Sequence, residues 1–374
     1  MKTIVASSLL LLFSLLFSTC QNKPEVLSSR REIPLQYATL LQLTAADSFT
    51  IATIREPHDT TKILQRYCLL EKDVTPPKAL PKATTIIRIP LQRAAVFSSV
   101  HLALLQELHA SRQVRGICDI QFIIDQNLQA LIRHRRLTNY GGSLRPDLEL
   151  LVATRADALL VSSLVDVDRP ELRKTGIPII ECADYLETSA LGRAEWIKFF
   201  GLLFGQRQAA DSIFQQVEDR YQSLTRQVRK LRQRPSLLVE TKKGGVWYVP
   251  GGKSTMGEIY QSAGANYLFS YLNKSGSVAL SFETIYKKAR NADFWLIKYG
   301  DTTSLSYQRL KASYTHYSAF KAFRQHNIYA CNTIQKSFYE ETPFHPERLL
   351  EDLITLFHPQ LLPDHRLRYF EPLQ

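Results

Sequence analysis

Gly252-Lys253-Ser254 is the first cluster of residues in this sequence with an obvious chemical use, because the same tripeptide closes a phosphate-cradling P-loop. That loop needs a glycine five positions before Gly252. Trp247 stands there instead, so nucleotide binding is not expected. No GxGxxG, GxSxG or HExxH occurs, and no nucleophile–base pair is visible, so the sequence offers no machinery for an enzyme. The nine histidines are spread along the chain. A bare metal ion needs three or four converging ligands. Of the scattered candidates His101, Glu187 and Asp301, nothing in the spacing makes them converge. His101 is better read as a capping or hydrogen-bonded histidine, and no resident cofactor or metal is expected.

A second kind of chemistry, non-covalent capture, is better represented. Aromatic and polar residues recur in short segments that follow apolar runs. They are Ser98, Ser99 and His101, then Asp119, then Asn139 and Tyr140. Further along stand Tyr185, Glu187 and Arg193, then Trp247, Tyr248, Gly251, Gly252 and Ser254. Open α/β sheets bind ligands beyond the carboxyl ends of their strands. Aromatic walls with a few polar groups suit a large, flat or macrocyclic ligand, and arginine and histidine suit carboxylate or catecholate oxygens.

The elements that must position these residues are legible as a change of period. Residues 37–43, 49–54, 63–70 and 84–89 are short runs bounded by turn residues, so 35–90 reads as a β-rich extension. The segment 75–81 contains three prolines and reads as a stiff connector. From residue 93 the pattern becomes strands (93–100, 114–119, 158–164, 177–182) alternating with helices (101–109, 125–136, 145–155, 169–175), which implies parallel pairing. Residues 192–231 contain no proline and repeat apolar side chains at helical spacing, giving one long amphipathic helix with a break expected near 201–205. Pro235 stops it, and the alternation restarts with strands 236–241, 293–299 and 327–331 and helices 256–262, 282–290 and 346–357. The expected fold class is α/β: two α/β lobes with parallel sheets (91–191 and 235–374) joined by one long backbone helix (192–234), plus the small β-rich extension (35–90).

The chain has 374 residues, is 45% hydrophobic and carries a net charge of +12, enough for two lobes and basic enough to suit an anionic partner. Its N-terminus reads as an export signal. Lys2 precedes an uncharged run, 4–17, that is too short to span a bilayer. The run ends in Phe17-Ser18-Thr19-Cys20, which reads as a lipobox, although Thr19 is larger than the usual residue there. The reading is a signal peptide over 1–19, lipidation at Cys20, a polar tether over 20–34 and attachment to a membrane in the periplasm. The alternative is simple secretion. Export argues against a nucleic-acid partner. Cys68, Cys118, Cys182 and Cys331 show no CxxC spacing, and the last three sit at the ends of apolar runs, as small core residues do.

Several segments carry a resemblance. They are Val96-Phe97-Ser98-Ser99-Val100-His101, the stretch 147–157 running into a strand, the long helix from Gly192, Gly257-Glu258, and Ala263-Gly264-Ala265-Asn266. In this order they resemble the periplasmic binding proteins for vitamin B12, iron–siderophores and haem, the class with a helical backbone. The resemblance covers about 91–357 and, with the extension, is nearest to Bacteroidetes lipoproteins. It implies a monomer that captures an iron chelate (siderophore or haem) or cobalamin between its lobes and delivers it to an ABC permease and ATPase. It also implies a surface glutamate on each lobe that docks on the permease. Glu149 matches the first position; the second falls nearer Tyr260, with Glu258 the closest acid. The alternative is a surface-anchored capture or interaction protein that uses the same fold without a permease.

Overall fold

Five strands form an N-terminal sheet in the computed structural model, which describes residues 31–163 and 169–374. They are β1 (Arg31–Ile33), β2 (Leu41–Ala45), β3 (Phe49–Arg55), β4 (Ile63–Glu71) and β5 (Thr84–Ile89), forming one sheet in that order. β4 and β5 pair in parallel. A parallel return needs a crossover, and the proline-rich connector 75–81 supplies it without a helix. β1 already pairs with β2, Arg31 opposite Ala45, so residues 31–33, expected in the tether, belong to the sheet. The signal segment and Cys20 lie outside the described residues.

The first lobe runs β6 (Ala94–Val96), α1 (Ser99–Glu107), β7 (Val114–Ile117), α2 (Gln126–Arg133), β8 (Thr138–Asn139), β9 (Gly141–Gly142), β10 (Arg145–Pro146), α3 (Leu148–Ala153), β11 (Ala158–Ser162), α4 (Pro170–Lys174) and β12 (Ile179–Cys182). Its main sheet has the order β12-β11-β6-β7-β8 and is parallel throughout. Two boundaries differ from the sequence reading. The strand expected over 93–100 ends early because Ser98 caps α1 through the Val100 amide. The helix expected from 145 starts at Leu148, because Arg145 and Pro146 pair with the β9 glycines and Asp147 is the cap.

The connecting helix is three helices: α5 (Ala190–Glu195), α6 (Ile197–Phe204) and α7 (Arg207–Arg229). Gly205 adopts the left-handed conformation, φ +72°, at the C-terminus of α6, which is the reason the helix stops there. The 23 residues of α7 form the longest unbroken segment of the backbone.

The second lobe runs β13 (Ser236–Val239), β14 (Lys242–Lys243), β15 (Val246–Pro250), α8 (Thr255–Ser262), β16 (Asn266–Tyr267), β17 (Ser277–Leu280), α9 (Phe282–Ala289), β18 (Phe294–Tyr299), α10 (Tyr307–Ser313), α11 (Lys321–Arg324), β19 (Ile328–Asn332), α12 (Phe338–Glu341), α13 (Pro346–Phe357) and β20 (Glu371–Pro372). Its sheet, β16-β13-β18-β19-β20, is parallel except at β20. One hydrophobic core runs from the extension through both lobes. Tyr67 of β4 packs on Phe199 of α6 at 6.5 Å between ring centres, and Phe200 meets Phe344 of the second lobe edge-on at 5.9 Å. Cys118, Cys182 and Cys331 are core thiols, as expected, and Cys68 is buried too. Burial pushes Cys118 and Cys331 up to about 12, which keeps them protonated and unreactive.

Candidate functional site: the inter-lobe cleft

Three hydrogen bonds set the strand-end loops of the two lobes against each other. Ile124 N, after β7, donates to Glu340 of α12 at 3.0 Å. Thr255 Oγ1 of α8 donates to the Glu187 carbonyl at 2.9 Å, and Ala190 N donates to Glu258 at 2.7 Å. The carboxyl ends of both parallel sheets therefore border one inter-lobe cleft, the place where open α/β sheets take ligands. Large apolar side chains stand exposed beyond these strands: Phe122 after β7 and Leu144 in the β9–β10 turn of the first lobe, Ile334 after β19 and Tyr339 in α12 of the second. Exposed rings and aliphatic groups at a cleft mark a contact surface.

The sequence reading brings together one real constellation, around a residue it missed. Asp184, fully buried, accepts from His101 Nε2 at 2.9 Å and from Arg193 Nε at 3.2 Å. Burial pushes its carboxyl up, but the His101 and Arg193 partners more than offset this and hold it below its usual range. His101 is thus a hydrogen-bonded core histidine, stacked near Phe200, and does not reach the cleft. Tyr185 donates its hydroxyl to the Ser163 carbonyl and stays half-buried beside it. Ser98 and Ser99 open α1, and Asp119 takes a left-handed backbone (φ +54°) just after β7, so these three remain at strand ends as expected.

Five expected site residues are corrected. Trp247 lies on β15, not in a loop, and is wholly buried. It stacks on Trp295 at 5.7 Å and donates Nε1–H to Val239 O at 2.9 Å. Its neighbour Tyr248 points the other way on the strand and is half exposed. Tyr140 is buried, its ring crowding Gly116 and its hydroxyl bonded to Thr154. Ser254 is the buried N-cap of α8, accepting from Gly257 N. Glu187 faces the extension and holds the Thr39 and Leu40 amides. Glu258, expected on the surface, is bonded to Ala190 N, Tyr221 and Ser262, and burial raises its pKa. Glu149, by contrast, is exposed in the first turn of α3.

The sequence reading also missed an ion pair beneath the second-lobe rim. Lys298 on β18 pairs with Glu240, which follows β13 with φ +63°. Burial alone would depress the ammonium; Glu240 and the flanking tyrosines more than offset it and hold Lys298 charged. The Tyr260 hydroxyl is buried beside it. A lysine inside the apolar run 294–299 was the available signal. Among the described residues, no His, Cys, Asp or Glu cluster has metal-holding geometry.

Residues 124–334, more than half of the chain, match the family described as periplasmic binding protein, and the chain belongs to that family. Members of that family are periplasmic solute-binding proteins. By sequence it is similar to an uncharacterized lipoprotein of Methanocaldococcus jannaschii, 24% identical over 323 residues that span 82% of this chain and 75% of the relative. By fold it is similar to an ABC-type Fe3+-hydroxamate transport protein of Saccharomonospora viridis (TM-score 0.56, 19% identity, 72% of this chain and 94% of that one). It is likewise similar to a periplasmic haem-binding protein of Pseudomonas aeruginosa (TM-score 0.56, 18% identity, 72% and 93%). The molybdate-binding MolA of Haemophilus influenzae is comparable (TM-score 0.59, 14% identity, 75% and 90%). At these identities the likeness is one of fold. These neighbours are covered almost whole, whereas roughly a quarter of this chain has no counterpart in them.

Proposed function

We propose that this protein is a lipid-anchored, monomeric binding protein that captures an organic chelate of a metal, a ferric siderophore, haem or a corrinoid, in the inter-lobe cleft. The exposed apolar side chains beyond the strands carry this reading: Phe122 and Leu144 on one lobe, Ile334 and Tyr339 on the other. A small oxyanion such as molybdate needs several convergent unpaired donors. Here Lys298 is engaged by Glu240 and Arg193 by Asp184. Lipidation at Cys20 would keep the protein at the membrane, in line with the relative's being named a lipoprotein.

The test is the absorption spectrum of the purified protein after mixing with a ferric hydroxamate, haem or cobalamin and desalting. One chelate should be retained. Phe122→Ala with Tyr339→Ala should weaken its binding at least about tenfold, because two rings would lose their buried contact area. Retention of none of the three, or full affinity in the double variant, would refute the reading.

Docking on the permease is assigned to Glu149 alone, since Glu258 is internally bonded. Glu149→Arg should leave melting within about 0.5 kcal/mol of wild type, as exposed substitutions do, and leave solute binding intact. In a reconstituted transporter it should cut ligand-stimulated ATP hydrolysis several-fold, because rim charges govern association. Undiminished hydrolysis would exclude the docking role and favour capture without a permease.

A further inference from the structure

A half-open cavity of about 220 Å³ lies at the seam of the lobes, beside the Ile124–Glu340 bond. Its first-lobe wall is Ala103, Leu104 and Glu107 of α1, with Asp125 at the start of α2. Its second-lobe wall includes Glu340 and Glu341 of α12, with Phe344, His345 and Arg348. Four carboxylates thus face two cationic side chains, a local negative excess in a chain whose net charge is +12.

Both cations are already engaged. His345 lies between Glu107, at 2.7 Å, and Glu347, at 2.8 Å. Burial would depress its pKa, but these carboxylates more than offset that and raise it to about 9, so the imidazole is charged at neutral pH. Arg348 bonds Glu341 at 3.2 Å. Glu107 is answered by His345, and Glu341 by Arg348 and Tyr369.

Glu340 has no such answer. It is 95% buried, since only 5% of its surface is accessible, and it lines the cavity. Oε1 accepts from Ile124 N at 3.0 Å, while Oε2 has no hydrogen-bond partner. Burial is the largest influence and raises its pKa; the Ile124 amide and the Ser337 hydroxyl act against it, and the charges of Asp125 and Glu341 add smaller upward pushes, leaving it above its usual range. Asp125 commits one oxygen to Leu128 N at the start of α2. An uncompensated buried carboxylate is costly. A cation placed between Glu340 and Asp125 would remove that cost, and Ala103, Leu104 and Phe344 offer its stem an apolar wall. Glu107 and Arg348, each about one-third exposed, form the rim through which it would enter.

We propose that this seam cavity binds a small organic cation, an ammonium or guanidinium on a short apolar stem, held across the two lobes by Glu340 and Asp125. Because its walls come from both lobes, its occupant stabilises their closed arrangement. The site does not rest on the chelate reading of the cleft.

The test uses n-propylguanidine as the cation and n-propylurea as its neutral isostere, in calorimetric titration and thermal melts of the purified protein at neutral pH. The cation should bind saturably at one site. At about ten times its Kd it should raise the melting temperature by about 2 °C, while the urea does neither. Glu340→Gln and Asp125→Asn should each weaken binding at least about tenfold; asparagine caps a helix as well as aspartate does, so the second variant keeps the fold. Ala103→Leu, which fills the apolar wall without touching a charge, should also block the site. No saturable heat from the cation, equal binding of the urea, or full affinity in Glu340→Gln and Asp125→Asn would overturn the proposal. If Glu340→Gln simply raises the melting temperature and the cation shifts nothing, Glu340 is a buried acid and no site.

Discussion

Replacing Glu187 with alanine is expected to unfasten the N-terminal sheet from the rest of the molecule. Its carboxylate accepts from Thr39 N at 3.0 Å, Thr39 Oγ1 at 2.8 Å, Leu40 N at 2.9 Å and Trp196 Nε1 at 3.0 Å. Glu195 repeats the device on the preceding amides, accepting from Gln36, Tyr37 and Ala38. Segment 36–40 is therefore held by two carboxylates from the start of the helical backbone. Truncating Glu187 strands two buried N–H donors, Leu40 N and Trp196 Nε1, and the part-buried Thr39 N, at a cost on the order of 3–5 kcal/mol. The melting temperature should fall by roughly 4–7 °C. Trypsin should then cut first in the extension, where Lys72, Lys78 and Lys82 flank or lie in the connector. Glu187→Gln, which keeps one acceptor, should lose less. An unchanged melting curve with weakened chelate binding would return Glu187 to the cleft.

Trp247→Ala is expected to act as a core deletion and not as the loss of a ligand contact. The indole stacks on Trp295, meets Tyr317 edge-on at 5.6 Å and packs on Phe320 at 5.9 Å. It also joins β15 to β13 through the Val239 carbonyl. A buried large-to-small change of this kind costs about 3–5 kcal/mol, from lost burial and the cavity left behind. Calorimetry should show a lower melting temperature with or without solute. Trp247→Phe should recover part of the loss, since a ring refills most of the volume but cannot donate to Val239. Normal stability with selectively lost solute binding would contradict the buried placement.

These two residues show how unevenly the site was legible. Both were chosen as aromatic or polar groups following apolar runs, and by that local criterion they look no different from Tyr185 or Asp119. What separates them is cover supplied from far along the chain. Glu187 is closed over by a loop 147 residues upstream, and Trp247 by β18 and the segment around Tyr317 and Phe320. Glu340 escaped notice for the converse reason: its chemistry comes from Ile124, 216 residues away.

The sequence by itself determined the order of the main parallel strands and their helices, the parallel α/β character of both lobes, the β-rich start and the helical link. Those features rest on side-chain period, proline placement and caps, which act between residues a few positions apart. Even the stop at Gly205 has a local cause, because glycine tolerates the left-handed backbone that ends α6. Only the tertiary structure decided which strand-end residues face the cleft, which are core, and which carboxylates are left without a partner. Burial and pairing depend on contacts between segments tens to hundreds of residues apart, and no local period encodes which segment will cover which.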